Sequence, residues 1–243
     1  MASITPRYQL RTSPPMALVL SAHPKLAVTT AAALAVTAAL IGRSSREVLL
    51  VFGTVVVGQA ILGWHNDLVD RKRDAHHDRE GKPIAAGHID AGSVVFVMFC
   101  AILLVIPMAV ASGTTAGACY LISLVFGLLG NVVFRSSVLS FVPWALSYAL
   151  YPAFLTFGGW GGVGADSAPQ PVIVGLAALL GIGVHVLVSL PGLVADHADG
   201  IRSLPLRLAV RTGASRLLAS TLGFIGALAL VILIAGQTVG FRS

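Results

Sequence analysis

Residues 48–74 read VLLVFGTVVVGQAILGWHNDLVDRKRD. From Val48 to His65 there is no Asp, Glu, Lys or Arg. Crossing a bilayer takes roughly 20 such residues, and lipid offers backbone amides no partner, so the run must satisfy itself as a helix. The character then changes abruptly, to Asn66, Asp67, Asp70 and Asp74 with Arg71, Lys72 and Arg73 between them. An apolar helix that ends in acids at helical spacing sets both the fold class and the place to look for chemistry.

Similar apolar runs recur along the chain. The pattern predicts seven spans, near 26–42, 48–65, 91–112, 115–134, 137–158, 171–194 and 213–236. Of the 243 residues, 56% are hydrophobic and 11% charged, against about 25% charged in soluble domains. The expected class is an all-α polytopic membrane protein with about seven transmembrane helices. No linker or soluble insertion interrupts the series, so a single domain over 1–243 is expected, with 1–24 a polar cytoplasmic segment. That segment is too polar for a cleaved leader, and the run after it reads as a retained helix. Cys100 and Cys119 fall inside apolar runs and read as packing residues.

The net charge of +6 need not signal nucleic acid, because placement explains it. With the N-terminus inside, thirteen Lys and Arg lie in inner segments and only Arg43, Arg46 and Arg242 in outer ones. This bias predicts a cytoplasmic N-terminus in the cell membrane. Both long loops, Asn66 to Asp90 and Asp196 to about Thr212, then face the cytoplasm. Eight of the ten acids lie in these two loops, which suggests one site. No aromatic and basic stripe supports a nucleic-acid partner.

If the second helix continues past His65, Asp67, Asp70 and Asp74 share one face. Like charges so placed need a compensating cation. Mg²⁺ takes oxygen ligands and commonly keeps only one or two carboxylates, completing its shell with water and substrate phosphate. Arg79 and Lys82 follow as candidates for phosphate oxygens. In the second loop Asp196 and Asp199 again lie three apart, with Arg202 close behind. His185 reads as an interior packing residue. His76 and His77 read as loop residues, having no third metal ligand near them in sequence.

The Asn66–Asp74 pattern, the following Lys82-Pro83-Ile84-Ala85-Ala86-Gly87, and the acidic loop ending Gly200-Ile201-Arg202-Ser203-Leu204-Pro205 together resemble the UbiA-type intramembrane prenyltransferase family. The resemblance covers roughly residues 20–235. It implies a helical bundle around a lipid-facing cavity, with two Asp-rich motifs holding Mg²⁺ and the diphosphate of an isoprenoid donor. Carried over by position, Asn66, Asp67, Asp70, Asp74 and Asp196 are catalytic, and Asp67, Asp70, Asp74 and Asp196 hold metal, with Asp199, out of the family's usual register, joining them by a shifted coordination. Asn66, Arg79 and Lys82 match substrate-contacting positions of the family. Arg202, Tyr148 and Tyr151 are added as substrate-contact candidates from their own chemistry, since aromatic faces such as those of the two tyrosines can steady a carbocation. Asn131 also could border the cavity.

The implied reaction is Mg²⁺-dependent transfer of a prenyl group to an aromatic or other lipophilic acceptor. A terpene cyclase on the same scaffold and a non-catalytic lipid-diphosphate-binding membrane protein are the alternatives. Two departures bear on the choice. Gly192 stands where the family's second motif has its first aspartate. The family also commonly has nine spanning helices, and a chain with seven leaves a gap for lipid or a second copy to fill.

Overall fold

The computed structural model describes residues 13–77, 81–160 and 168–241. They form helices α1 (Pro14–Ser21), α2 (Pro24–Leu40), α3 (Ser45–His76), α4 (Ala91–Val110), α5 (Thr114–Leu129), α6 (Val142–Thr156), α7 (Pro171–Ser189), α8 (Leu193–Ala198), α9 (Leu204–Thr212) and α10 (Ala214–Thr238). Among the described residues six helical segments are long and apolar enough to cross a membrane, and a seventh is obtained if α1 and α2 cross as one span bent by 54°. The expected all-α polytopic class is therefore the observed one.

The chain divides into two compact units, Met1–Met108 and Ala109–Ser243. In the first, α2 packs along α3 through Ala27, Ala31, Ala35 and Ala38, all buried. Small side chains let helices approach closely where lipid gives no hydrophobic drive to associate. The start of α3 is fixed by a capping box, with Ser44 Oγ accepting from Glu47 N and Glu47 Oε2 accepting from Ser44 N at 3.0 Å. Glu47, one of the two acids outside the long loops, thus has a structural role.

The far end of α3 departs from the sequence expectation. Residues 66–76 are helix rather than loop, so α3 runs 32 residues. That is about 48 Å at 1.5 Å per residue, against a hydrocarbon layer of about 30 Å. The carboxylates therefore ride on a rigid continuation of a membrane helix. The N-terminal expectation also changes. Residues 14–21, taken as part of a polar segment, are helix α1 with Ala17 and Ser21 buried.

Between α1 and α2 the backbone turns at His23, whose φ of 51° and ψ of 57° are left-handed. Few non-glycine residues adopt that conformation. Pro24, at the first position of α2, has no N–H to lose and suits a helix start. The turn rests on α3. A Cβ on Gly63 would lie 2.7 Å from the carbonyl carbon and oxygen of Ala22, and the neighbouring Trp64 Nε1 donates to Leu18 O at 2.9 Å. Trp64, Ala22, Ile84 and Val94 then form a buried cluster joining α3, the turn, the loop after α3 and α4.

In the second unit α6 packs between α5 and α7, and α10 lies on α7. The α6–α7 approach depends on Gly181, whose added Cβ would meet Trp144 O at 2.5 Å. α5 passes into a π-turn over Gly130–Phe134. The second long loop is also structured, holding a 3₁₀ turn (Leu190–Gly192), α8 and α9. Cys100 and Cys119 are free thiols, Cys100 exposed rather than packed inside.

Gly63→Ala should force the Ala22–His23 turn off α3 and destabilise the protein by about 1–3 kcal/mol. A thermal unfolding series in detergent would show a lowered midpoint. Gly223→Ala on α10, where a Cβ meets nothing within 4 Å, should leave the midpoint unchanged or slightly raised.

Candidate functional site

Because α3 continues without a break, Asp67, Asp70 and Asp74 do share a face, and that face is turned inward. The three residues are 2%, 5% and 1% exposed, whereas Arg71 and Lys72 project to the exposed side. Those two basic side chains therefore point away from the acids, while Arg73, between them and Asp74, is half-buried. Asp67 is compensated from elsewhere in the first unit. Lys82 Nζ donates to Asp67 Oδ1 and lies 3.6 Å from Asp74 Oδ2 and 3.5 Å from Asn66 Oδ1. His23 Nε2 is 2.8 Å from the same Asp67 oxygen and 3.4 Å from Lys82 Nζ.

Lys82 is placed by the turn that follows it. Ala86 N donates to Lys82 O at 3.0 Å and His88 N to Pro83 O at 3.0 Å, while Gly87 takes a φ of 74°. Ile84, two residues on, is anchored in the buried cluster with Trp64. Asp90 belongs to the fold instead, since its Oδ2 accepts from Ser93 N at 3.0 Å at the start of α4. The eight acids of the two loops therefore do not all serve one site. Arg79 lies outside the described residues.

One oxygen of Asp67, Oδ2, is buried and has no hydrogen-bond partner among the described residues. A buried carboxylate oxygen without a donor is costly, and a hard cation would satisfy it. Among the described residues no three His, Cys, Asp or Glu side chains already form a metal cage. Any cation on this face would complete its shell with water or ligand oxygens.

The second unit carries a different arrangement. Asp196 is half-buried in α8 and Asp199 exposed at its C-terminal end. Gly192 precedes α8 and offers no side chain. The half-buried Arg135, at the end of the π-turn, is an addition to the residues expected from sequence. Burial lowers its pKa below the usual arginine value, and the charges of Asp196 and Asp199 act to raise it. Arg202 is exposed, and its N–H ties the loop to Ser136 O at 3.2 Å.

Tyr148 and Tyr151 are buried, with ring centroids 4.9 Å apart. They belong to an aromatic row in which Trp144 lies 6.3 Å from Tyr148 and Tyr120 lies 6.5 Å from Tyr151. Asn131 sits half-buried in the π-turn. His185 is 8% exposed, stacked on Trp144 at 5.5 Å, with Nε2 3.0 Å from Ser140 Oγ. The same hydroxyl accepts from Leu204 N at 3.2 Å, so Ser140 joins α7 to the start of α9.

His23 and Arg135 are the residues that sequence reasoning missed. His23 carries only a weak signal, its position before Pro24, and nothing local announces a left-handed turn. Arg135 was visible as a basic residue after a span but looked like any positive-inside anchor.

The sequence model of the UbiA prenyltransferase family matches residues 26–241. No curated protein matches the sequence significantly. The fold is similar to that of a UbiA homolog from Archaeoglobus fulgidus solved bound to DMAPP and Mg²⁺. Identity there is 17%, over 89% of this chain and 75% of that one, with a TM-score of 0.65. The same homolog bound to GPP and Mg²⁺ gives 16% identity over 92% and 83% of the two chains, with a TM-score of 0.66.

Ser140→Ala should cost about 1–3 kcal/mol, because Leu204 N and His185 both lose a partner. Limited trypsin digestion would report it as faster cleavage at the exposed Arg202 and Arg207. Unchanged digestion would show that Ser140 does not hold the loop.

Proposed function

The chain belongs to the UbiA prenyltransferase family, and from that premise we propose that it is a Mg²⁺-dependent intramembrane prenyltransferase. It would move a prenyl group from an isoprenoid diphosphate to an aromatic or other lipophilic acceptor. The observation that carries this reading is the buried face of α3, with three carboxylates facing inward and Lys82 against Asp67. The Archaeoglobus homologs with DMAPP or GPP and Mg²⁺ support the same ligand classes here. The family match spans both compact units, and we take them as one functional domain.

Mg²⁺ fits the donors present. Asp67 Oδ2 is buried without a hydrogen bond among the described residues, and the set is all hard oxygen. Asp67, Asp70 and Asp74 would hold the metal, and Asp196 and Asp199 form the corresponding acidic motif of the second unit. When bound, the metal neutralises charge that develops on the leaving diphosphate. Asn66 and Lys82 would orient the diphosphate on the first unit, and Arg79 and Arg202 are further candidates from sequence. Tyr148 and Tyr151 present aromatic faces that can stabilise an allylic cation. A helical, water-poor surround limits hydrolysis of that cation. The Lys and Arg distribution favours a cytoplasmic N-terminus and cytoplasmic acidic loops.

Purified protein incubated with Mg²⁺, prenyl diphosphates of several lengths and a pool of aromatic acceptors should release diphosphate and yield a prenylated acceptor by mass. Release without acceptor, together with a cyclic hydrocarbon, would indicate a cyclase. Absence of both turnover and Mg²⁺-dependent binding would leave only a non-catalytic role. Asp70→Ala should cut turnover by at least about a hundredfold, or about 2.7 kcal/mol, in protein that still folds in detergent. Full activity of that variant would mean the metal is held elsewhere.

A further inference from the structure

Lys82 stands in an unexpected place for a residue assigned to diphosphate. Its side chain is 13% exposed. Its contacts are Asp67 Oδ1, Asn66 Oδ1, Asp74 Oδ2 and His23 Nε2. All of these lie on the acidic face of α3 or on the turn that abuts it. An ammonium bridging two carboxylates takes the position that a hard cation on that face would take. A compact point charge of this kind is well suited to stand in for a metal.

His23 shares the Asp67 Oδ1 oxygen with the lysine. Its left-handed backbone brings the imidazole onto the same Asp67 oxygen at 2.8 Å. The turn itself cannot drift, because Gly63 and Trp64 seat it one helical turn before Asp67. Sequence spacing puts His23 and Lys82 59 positions apart, yet they converge on one carboxylate oxygen. On the other side of that carboxylate, Oδ2 is buried without a donor among the described residues. The Lys82 ammonium thus covers one oxygen of Asp67 and leaves the other open to a cation.

We propose that Lys82 is an internal counter-ion, sharing an Asp67 oxygen with His23, which a divalent cation displaces and so makes available to the diphosphate. The proposal rests on the metal–diphosphate reading of the α3 face and adds a linkage between the two ligands. Whichever ligand draws Lys82 away from Asp67 eases binding of the other, and the effect is reciprocal. Lys82 is thus a positioning residue before it is a ligand for substrate.

The test is a Mn²⁺ titration of the full chain in detergent, with free Mn²⁺ read by electron paramagnetic resonance. It is repeated with geranyl diphosphate, after subtraction of the Mn²⁺ that the diphosphate binds alone. Lys82→Gln should bind Mn²⁺ by itself about tenfold more tightly than wild type, and should lose the enhancement that geranyl diphosphate gives wild type. Unchanged or weaker Mn²⁺ binding by Lys82→Gln overturns the counter-ion role while leaving the metal site intact. Failure of wild type to bind Mn²⁺ under either condition overturns the metal–diphosphate reading, and this proposal with it. If Lys82→Gln does not fold, His23→Gly carries the test. Glycine keeps the left-handed turn and removes the imidazole, so Mn²⁺ binding should tighten, and weaker binding contradicts the proposal.

Discussion

Three carboxylates are buried on one face of a single helix, and the first compact unit is organised to make that tolerable. Burying a charge without a partner is strongly unfavourable, and breaking a buried pair costs about 3–5 kcal/mol. For Asp67 the chain meets this constraint with two residues far away in sequence, His23 before α2 and Lys82 after α3, and the same lysine lies 3.6 Å from Asp74. Several other features follow from bringing those two residues to Asp67. They include the left-handed turn, the missing side chain at Gly63, the Trp64–Leu18 hydrogen bond and the anchoring of Ile84.

The same constraint explains why α3 is long. A loop could carry three aspartates cheaply in water, but it could not hold them in a common direction. A helix continued beyond the apolar layer fixes their spacing without any further contact. Its cooperative backbone, capped at Ser44 and Glu47, makes the acidic face an extension of a membrane span. The second unit is built otherwise. Its acids sit on a short helix between turns, one half-buried and one exposed, with Arg135 and the Ser140 hydroxyl organising the surroundings.

The helical class and its spans were readable because hydrocarbon imposes a length and a composition that every crossing must satisfy. The shared face of Asp67, Asp70 and Asp74 was readable too, since it needs only the period of a helix. What could not be read was where that helix ended, because charged residues at 70–74 look equally like solvated loop. His23 was hidden for a stronger reason. Its role depends on a left-handed backbone set by contacts with Gly63 and Trp64, forty residues away, and no local pattern encodes that. Asp90 misled in the opposite direction, since an acid capping α4 is indistinguishable in sequence from one more site carboxylate.

The central claim is that the buried face of α3 binds a divalent cation together with an isoprenoid diphosphate. Anomalous diffraction at the manganese edge, from crystals grown with Mn²⁺ and geranyl diphosphate, tests it most directly. The account predicts a manganese peak against Asp67 and Asp70, with the Lys82 ammonium moved off Asp67 and onto diphosphate oxygen. A structure with diphosphate bound, no manganese at α3 and Lys82 still on Asp67 would contradict it.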